Sequence, residues 1–168
     1  MAKKSEQGFD TGSHFKISGG PIVLISCCKK KVDTNGAKIS AEELYCSVLF
    51  QKALKYARKI TFDNKIYILS AKHGLLRLTD KIATYNENMN DKSTDERKQW
   101  TKNVLDQMRK EGLDLANDTF VILAGMNYRQ YLPDGMLPNV SGLKKTEMVY
   151  AECKGIGEIL QKLNDLLK

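Results

Sequence analysis

A chain of 168 residues, with 42% hydrophobic and 28% charged side chains, is long enough for one sizeable core and ordinary for a globular protein. Its 27 lysines and arginines outnumber 20 aspartates and glutamates to leave a formal charge of +7, which favours encounter with polyanions, nucleic acid above all, without naming one. No apolar run approaches the length of a bilayer span, and Cys27, Cys28, Cys46 and Cys153 form neither a CxxC pair nor a zinc-spaced ladder, so a membrane protein and a structural metal are not expected.

Residues 1–20 are polar, glycine-containing and without period, and they read as a flexible tail in which His14 has no role. Residues 21–168 read as a single α/β domain. With no signal-peptide pattern, the four thiols fit a reducing, cytoplasmic setting.

The domain opens on PIVLIS, an unbroken β-rich run suited to a strand covered on both faces. Ser40 and Glu43 then form a capping-box pair ahead of Leu44, Val48, Leu49, Ala53, Leu54 and Ala57, whose spacing predicts one helix over 41–59. KIYILSA is a second strand, and 74–92 reads as an irregular loop. Ser93 and Glu96 repeat the capping box before a helix carrying Trp100, Val104, Leu105 and Met108 on one face, stopped by Gly112. DTFVILAG is the third strand. A short helix from Asn127 follows, then a loop over 133–155 with one more strand at TEMVYAE, and a final amphipathic helix from Ile156.

This alternation predicts a three-layer α/β sandwich with a small, mostly parallel sheet of about four strands flanked by helices. Right-handed crossovers bring the ends of the first three strands to one sheet edge, where open α/β sheets bind ligands.

Those ends carry Ser26-Cys27-Cys28-Lys29-Lys30-Lys31, then Ser70-Ala71-Lys72-His73-Gly74, then Ala124-Gly125-Met126-Asn127-Tyr128. Hydroxyls, a thiol, ammonium groups and an imidazole, with almost no carboxylate, suit an anion. The positive end of the helix near Ala41 agrees with that. Neither GxxxxGK[ST] nor GxGxxG occurs, so no ATP or dinucleotide cofactor is expected, and Gly155-Ile156-Gly157 reads as a glycine-rich helix entry.

Ser26, Cys27 and Lys30 are the expected phosphate or base contacts, with Lys30 as the inward-facing lysine of its run. Lys72 follows a buried strand, where desolvation or a phosphate could hold it, and His73 is the one histidine of the apparent domain, so imidazole chemistry must use it. Gly74 permits a sharp turn there. Cys27 is a candidate nucleophile beside several cations, whereas Cys28, Cys46 and Cys153 read as packing residues. Tyr45, Tyr85, Tyr128 and Tyr131 are available to shape the crevice or stack on a base.

Ser26-Cys27-x-x-Lys30, Leu44-Tyr45-x-Ser47-x-x-Phe50 and Leu69-Ser70-Ala71-Lys72-His73-Gly74-Leu75 together resemble a bacterial and phage family similar to the peroxide-stress protein YaaA. Tyr85-Asn86 and Leu123-Ala124-Gly125-x-x-Tyr128 extend the resemblance across residues 22–132. A more distant similarity points to the α/β domain of uracil-DNA glycosylases and of some deazaguanine-modifying enzymes. The resemblance implies association with nucleic acid or a nucleobase, and adds Ser47, Ser70, Gly74, Asn86 and Tyr128 to the candidate binding residues.

Cleaving an N-glycosidic bond needs an anion near the sugar, a positioned water and a donor toward the base. Lys72 or His73 could serve the base, and Asp80 and Glu87 are the carboxylates of the neighbouring loop. The leading expectation is a nucleic-acid- or nucleotide-binding protein that acts on the base or its glycosidic bond. Two alternatives stand beside it: a non-catalytic DNA-binding stress or phage-defence protein, and a small-molecule enzyme with Cys27 as nucleophile and His73 as base.

Overall fold

The computed structural model describes residues 20–168, so the expectations for His14 and the preceding tail fall outside the described residues. Strand β1 (Ile22–Ser26) lies at the centre of a five-stranded sheet. It pairs in parallel with β3 (Ile66–Ser70) on one side and β6 (Thr119–Leu123) on the other. Beyond β6 lies β7 (Lys145–Met148), also parallel, and beyond β3 lies β4 (Gly74–Arg77), antiparallel, giving the order β4-β3-β1-β6-β7. Ile22, Val23, Leu24 and Ile25 are all buried, as a strand with neighbours on both edges and helices on both faces requires.

The helices form the outer layers. Helix α2 (Val48–Ile60) packs against α5 (Ile156–Leu167), while α3 (Thr94–Lys110) packs against β4 and the short α4 (Met126–Arg129). The crossover from β1 to β3 runs one way along the sheet, and those from β3 to β6 and from β6 to β7 run the other way. Right-handed connections then place α2 and α3 on opposite faces, and the reversal falls between β1 and β6. The sandwich is thus an α/β fold with a mostly parallel sheet, as the chain pattern predicts.

Two expected elements differ. The single helix over 41–59 is broken: α1 (Ala41–Leu44) ends at Tyr45, whose backbone is extended (φ −86°, ψ 115°), and α2 starts afresh at Val48. The break is made by pairing with the lysine loop, since Val32 N donates to Leu44 O at 2.9 Å and Cys46 N to Lys30 O at 3.1 Å. Ser47 Oγ caps the new helix by accepting from Phe50 N at 3.1 Å. Val48, now in the first turn, is left exposed instead of packing in the core. Ser40 Oγ donates to the Glu43 carboxylate at 2.7 Å rather than capping the backbone. Ala41 N and Glu42 N are taken up by the Asp80 and Leu78 carbonyls. The Ser93–Glu96 box, by contrast, forms with both of its hydrogen bonds.

The second difference is β4, which occupies the start of the expected loop and makes a fifth strand; short β2 (Ile39–Ser40) and β5 (Lys81–Ile82) pair separately. Gly74 makes the hairpin possible with φ +75°. Gln107 of α3 grips both flanks of this glycine, accepting from Leu75 N at 2.9 Å and donating to His73 O at 3.1 Å. Arg77 N is capped by Asp80 Oδ2 at 2.8 Å. The outward N–H groups of this edge strand therefore end on side chains, which closes the edge to a further strand.

A methyl group at Gly74 would overlap Gln107 Oε1 in a backbone region that disfavours other residues. Gly74→Ala is expected to lower stability by about 1–3 kcal/mol in urea unfolding. An unchanged midpoint would show that the turn relaxes without cost.

Candidate functional site

The parallel strands β1, β3 and β6 bring Cys27, Ser70 and Ala124 to one edge, and β1 keeps its register one residue beyond its end because Cys27 N donates to Leu69 O at 2.8 Å. At the reversal between β1 and β6 a crevice of about 280 Å³ opens. Its floor is Cys27, buried, with Sγ 3.2 Å from the hydroxyl of Tyr128 on α4. Trp100 of α3 holds that tyrosine edge-on, with ring centres 5.7 Å apart. One wall is Cys28, Lys29 and Lys31 from the loop after β1; the other is Asn86, Glu87, Asn88 and Asp91 from the segment before α3.

The walls are tied together outside the crevice. Thr34 N donates to Thr84 Oγ1 and Thr84 N to Thr34 Oγ1, both at 3.1 Å, and the Thr84 hydroxyl also hydrogen-bonds to Val32 O. On the inner side, Lys31 Nζ lies 4.5 Å from the centre of the Tyr85 ring. Asn88 Oδ1 accepts from Asn90 N at 3.0 Å, which turns the acidic wall, and Asn127 Nδ2 donates to Asn90 Oδ1 at 2.6 Å, which ties it to α4.

Behind the crevice sits a buried hydroxyl cluster. Tyr85 OH lies 2.7 Å from Ser70 Oγ and 2.6 Å from Tyr45 OH. Ser70 Oγ already accepts from Lys72 N at 3.3 Å and His73 N at 3.0 Å, so its lone pairs are used and its hydrogen is left for the Tyr85 oxygen. The Ser70 carbonyl accepts from Trp100 Nε1 at 2.9 Å. Burial pushes the Tyr45 and Tyr85 phenols well above their ordinary range, and the nearby Cys27 thiol adds to this. Tyr128 is raised in the same way. All three remain neutral, so the cluster supplies shape and hydrogen bonds rather than a phenolate.

The sequence candidates thus divide between two places. Cys27, Asn86 and Tyr128 line the crevice, whereas Tyr45, Ser70 and Tyr85 build the cluster behind it. Tyr45 is fully buried and so cannot stack on a ligand. Ser47 is a helix cap, Gly74 a turn, and Ser26 a half-buried strand end opposite Leu69. The inward lysine is not Lys30, whose side chain is exposed while its backbone pairs with Cys46; Lys29 and Lys31 line the crevice instead. Lys72 is exposed beyond the cluster, 5.9 Å from the Tyr85 ring centre. Cys28, Cys46 and Cys153 are half-buried rather than core residues. The glycines at 155 and 157 are exposed, with open space around them.

His73 packs edge-on to Tyr85, with ring centres 5.3 Å apart, and its Nε2 is buried without a hydrogen-bond partner. The Cys27 thiol meets Tyr128 rather than this imidazole, so the expected Cys–His pair is not formed. The largest departure is the acid content of the crevice. Glu87 and Asp91 line it, although the strand ends alone suggested a nearly carboxylate-free site. The polar run Asn86-Glu87-Asn88-Met89-Asn90-Asp91 was the available signal, with Met89 as its buried anchor.

Two measurements check this geometry. Tyr85→Phe removes the oxygen that serves both Ser70 and Tyr45, and is expected to cost about 1–3 kcal/mol in urea unfolding; a cost no greater than a surface change would contradict the cluster. Burial, then the Lys72 charge, holds the His73 pKa below its ordinary value. The unfolded chain therefore takes up a proton first, and stability falls as pH drops below about 6.5 until the folded imidazole also titrates. His73→Gln should flatten that part of the Tm-versus-pH curve, and an unaltered curve would count against the buried imidazole.

Among the described residues, no helix is long and apolar enough to cross a membrane, and no group of three or more His, Cys, Asp or Glu residues could hold a metal. An uncharacterized protein, YfjM, of Bacillus subtilis (strain 168) is 29% identical over 146 residues, covering 85% of this chain and 92% of its own length. No solved structure matches the chain. The match that extends through every strand and both crevice walls, residues 22–165, is to DUF6884, and the chain belongs to this family of unknown function.

Proposed function

We propose that the crevice between β1 and β6 binds a nucleotide, free or as one unit of a strand, and cleaves its N-glycosidic bond. The observation that carries this reading is that Lys29 and Lys31 from the loop after β1 and Glu87 and Asp91 from the segment before α3 line one crevice at the reversal of strand order. Lysines draw the phosphate, and a carboxylate beside the sugar stabilises the positive charge that grows as the base departs.

In the proposed step water attacks the anomeric carbon, whose bond to the base nitrogen breaks with its electron pair leaving on the base. Glu87 takes the proton released by the water, and an ammonium group of the lysine wall or solvent protonates the base. Glu87 suits the role because, among the described residues, only one oxygen of its carboxylate is engaged, at 3.3 Å from Lys92 Nζ.

Mass spectrometry of free bases tests this after incubation with ribo- and deoxyribonucleotides, single- and double-stranded DNA, and RNA. Base release is expected, falling about 100-fold or more in Glu87→Gln, the usual order for loss of a general base. Absence of release from every substrate would overturn the catalytic reading. Exposed Lys29 and Lys30 beside the crevice favour a second reading, phosphate contact without chemistry, for which binding would weaken steeply with salt and ignore Glu87→Gln.

A further inference from the structure

We infer that the part of the ligand facing Glu87 and Asp91 is a vicinal diol, so that the site prefers ribonucleotides to their 2′-deoxy counterparts. This rests on the nucleotide reading above and adds the sugar to it.

The two walls make opposite demands. Ionised carboxylates only accept hydrogen bonds, and ammonium groups only donate them. Among the described residues no hydrogen bond or ion pair ends on the Asp91 carboxylate, and Glu87 shares one oxygen with Lys92. Between these acids, the side-chain oxygen of Asn88 is occupied by Asn90 N, so it offers a ligand its amide N–H groups rather than a strong acceptor. On the lysine side, Lys29 Nζ has no partner among the described residues, and Lys31 Nζ reaches the Lys29 carbonyl at 3.4 Å and lies over the Tyr85 and Tyr45 rings, 4.5 and 5.9 Å from their centres.

A ligand that satisfies both walls is anionic at one end and rich in hydrogen-bond donors at the other. A phosphate set against Glu87 and Asp91 would meet like charge, so it belongs with the lysines. The sugar then faces the acids, and a ribose offers them two adjacent hydroxyl donors. An acidic residue accepting from a ribose hydroxyl is a recurrent solution where α/β sheets bind nucleotides at a reversal of strand order. A deoxyribose withholds one donor, so one charge-assisted hydrogen bond to these exposed carboxylates is not made. The crevice volume of about 280 Å³ limits the inserted part to a single nucleotide unit.

An exocyclic amine on the base is the rival donor, and probes without a base separate the two. Calorimetry would compare ribose 5-phosphate with 2-deoxyribose 5-phosphate, and each ribonucleoside monophosphate with its 2′-deoxy partner. The ribose forms are expected to bind about 10-fold more tightly, as the loss of one charge-assisted hydrogen bond implies. Asp91→Asn should bring the ratio toward one, and Lys31→Ala should weaken both sugars alike. Equal affinity for the two sugars in the unaltered protein overturns the diol inference while leaving the nucleotide site standing. Binding of none of these probes overturns both.

Discussion

The oxygen of Tyr85 is the junction on which the site depends. It joins three segments distant in sequence: the end of β3 through Ser70, the helix break through Tyr45, and its own loop before α3. Each partner is committed elsewhere, Ser70 to the Lys72 and His73 backbone and Tyr45 to the pairing that halts α1. A buried hydroxyl without a partner costs more than a formed hydrogen bond returns, so the cluster is stable only when all three segments are in place. Satisfying it carries Asn86 and Glu87, the next two residues, to the mouth of the sheet.

That arrangement explains how a basic protein comes to have a mixed-charge crevice. The lysine loop is zipped to residues 44–46 by backbone hydrogen bonds, and the acidic segment is tied to it through Thr34 and Thr84. Neither wall depends on the ion pairs it could form with the other. Surface ion pairs contribute little, whereas backbone pairing and buried hydroxyls set position firmly. The charges thus remain available for a ligand, with Cys27 and neutral Tyr128 as a polarisable floor between them.

Much of this was legible in the chain. IVLIS, IYILS and TFVIL are dense enough in β-branched and aromatic residues to read as buried strands, and the Ser93–Glu96 box and Gly112 delimit α3 by purely local chemistry. Their alternation also placed Cys27, Ser70 and Tyr128 at one edge. What was hidden was non-local. Within residues 41–59 the local sign that Tyr45 leaves the helix is the cap at Ser47, and the break itself is made by backbone pairing with residues 30–32 across a loop. The four residues of β4 are too few to show a period, and they depend on Gln107, more than thirty positions away. Glu87 and Asp91 look like ordinary loop acids until Tyr85 and Met89 are seen to anchor their segment.

The central claim is that this crevice, and not another surface, receives the ligand. A rival cleft lies between α2 and the end of α5, lined by Lys52, Lys55, Arg58 and Leu167, and a basic protein could equally present that face to an anion. Backbone amide NMR during titration with a ribonucleoside monophosphate distinguishes them directly. The account predicts shift changes confined to residues 27–31, 86–91 and 125–128; changes centred on residues 46–58, with the strand ends silent, would contradict it.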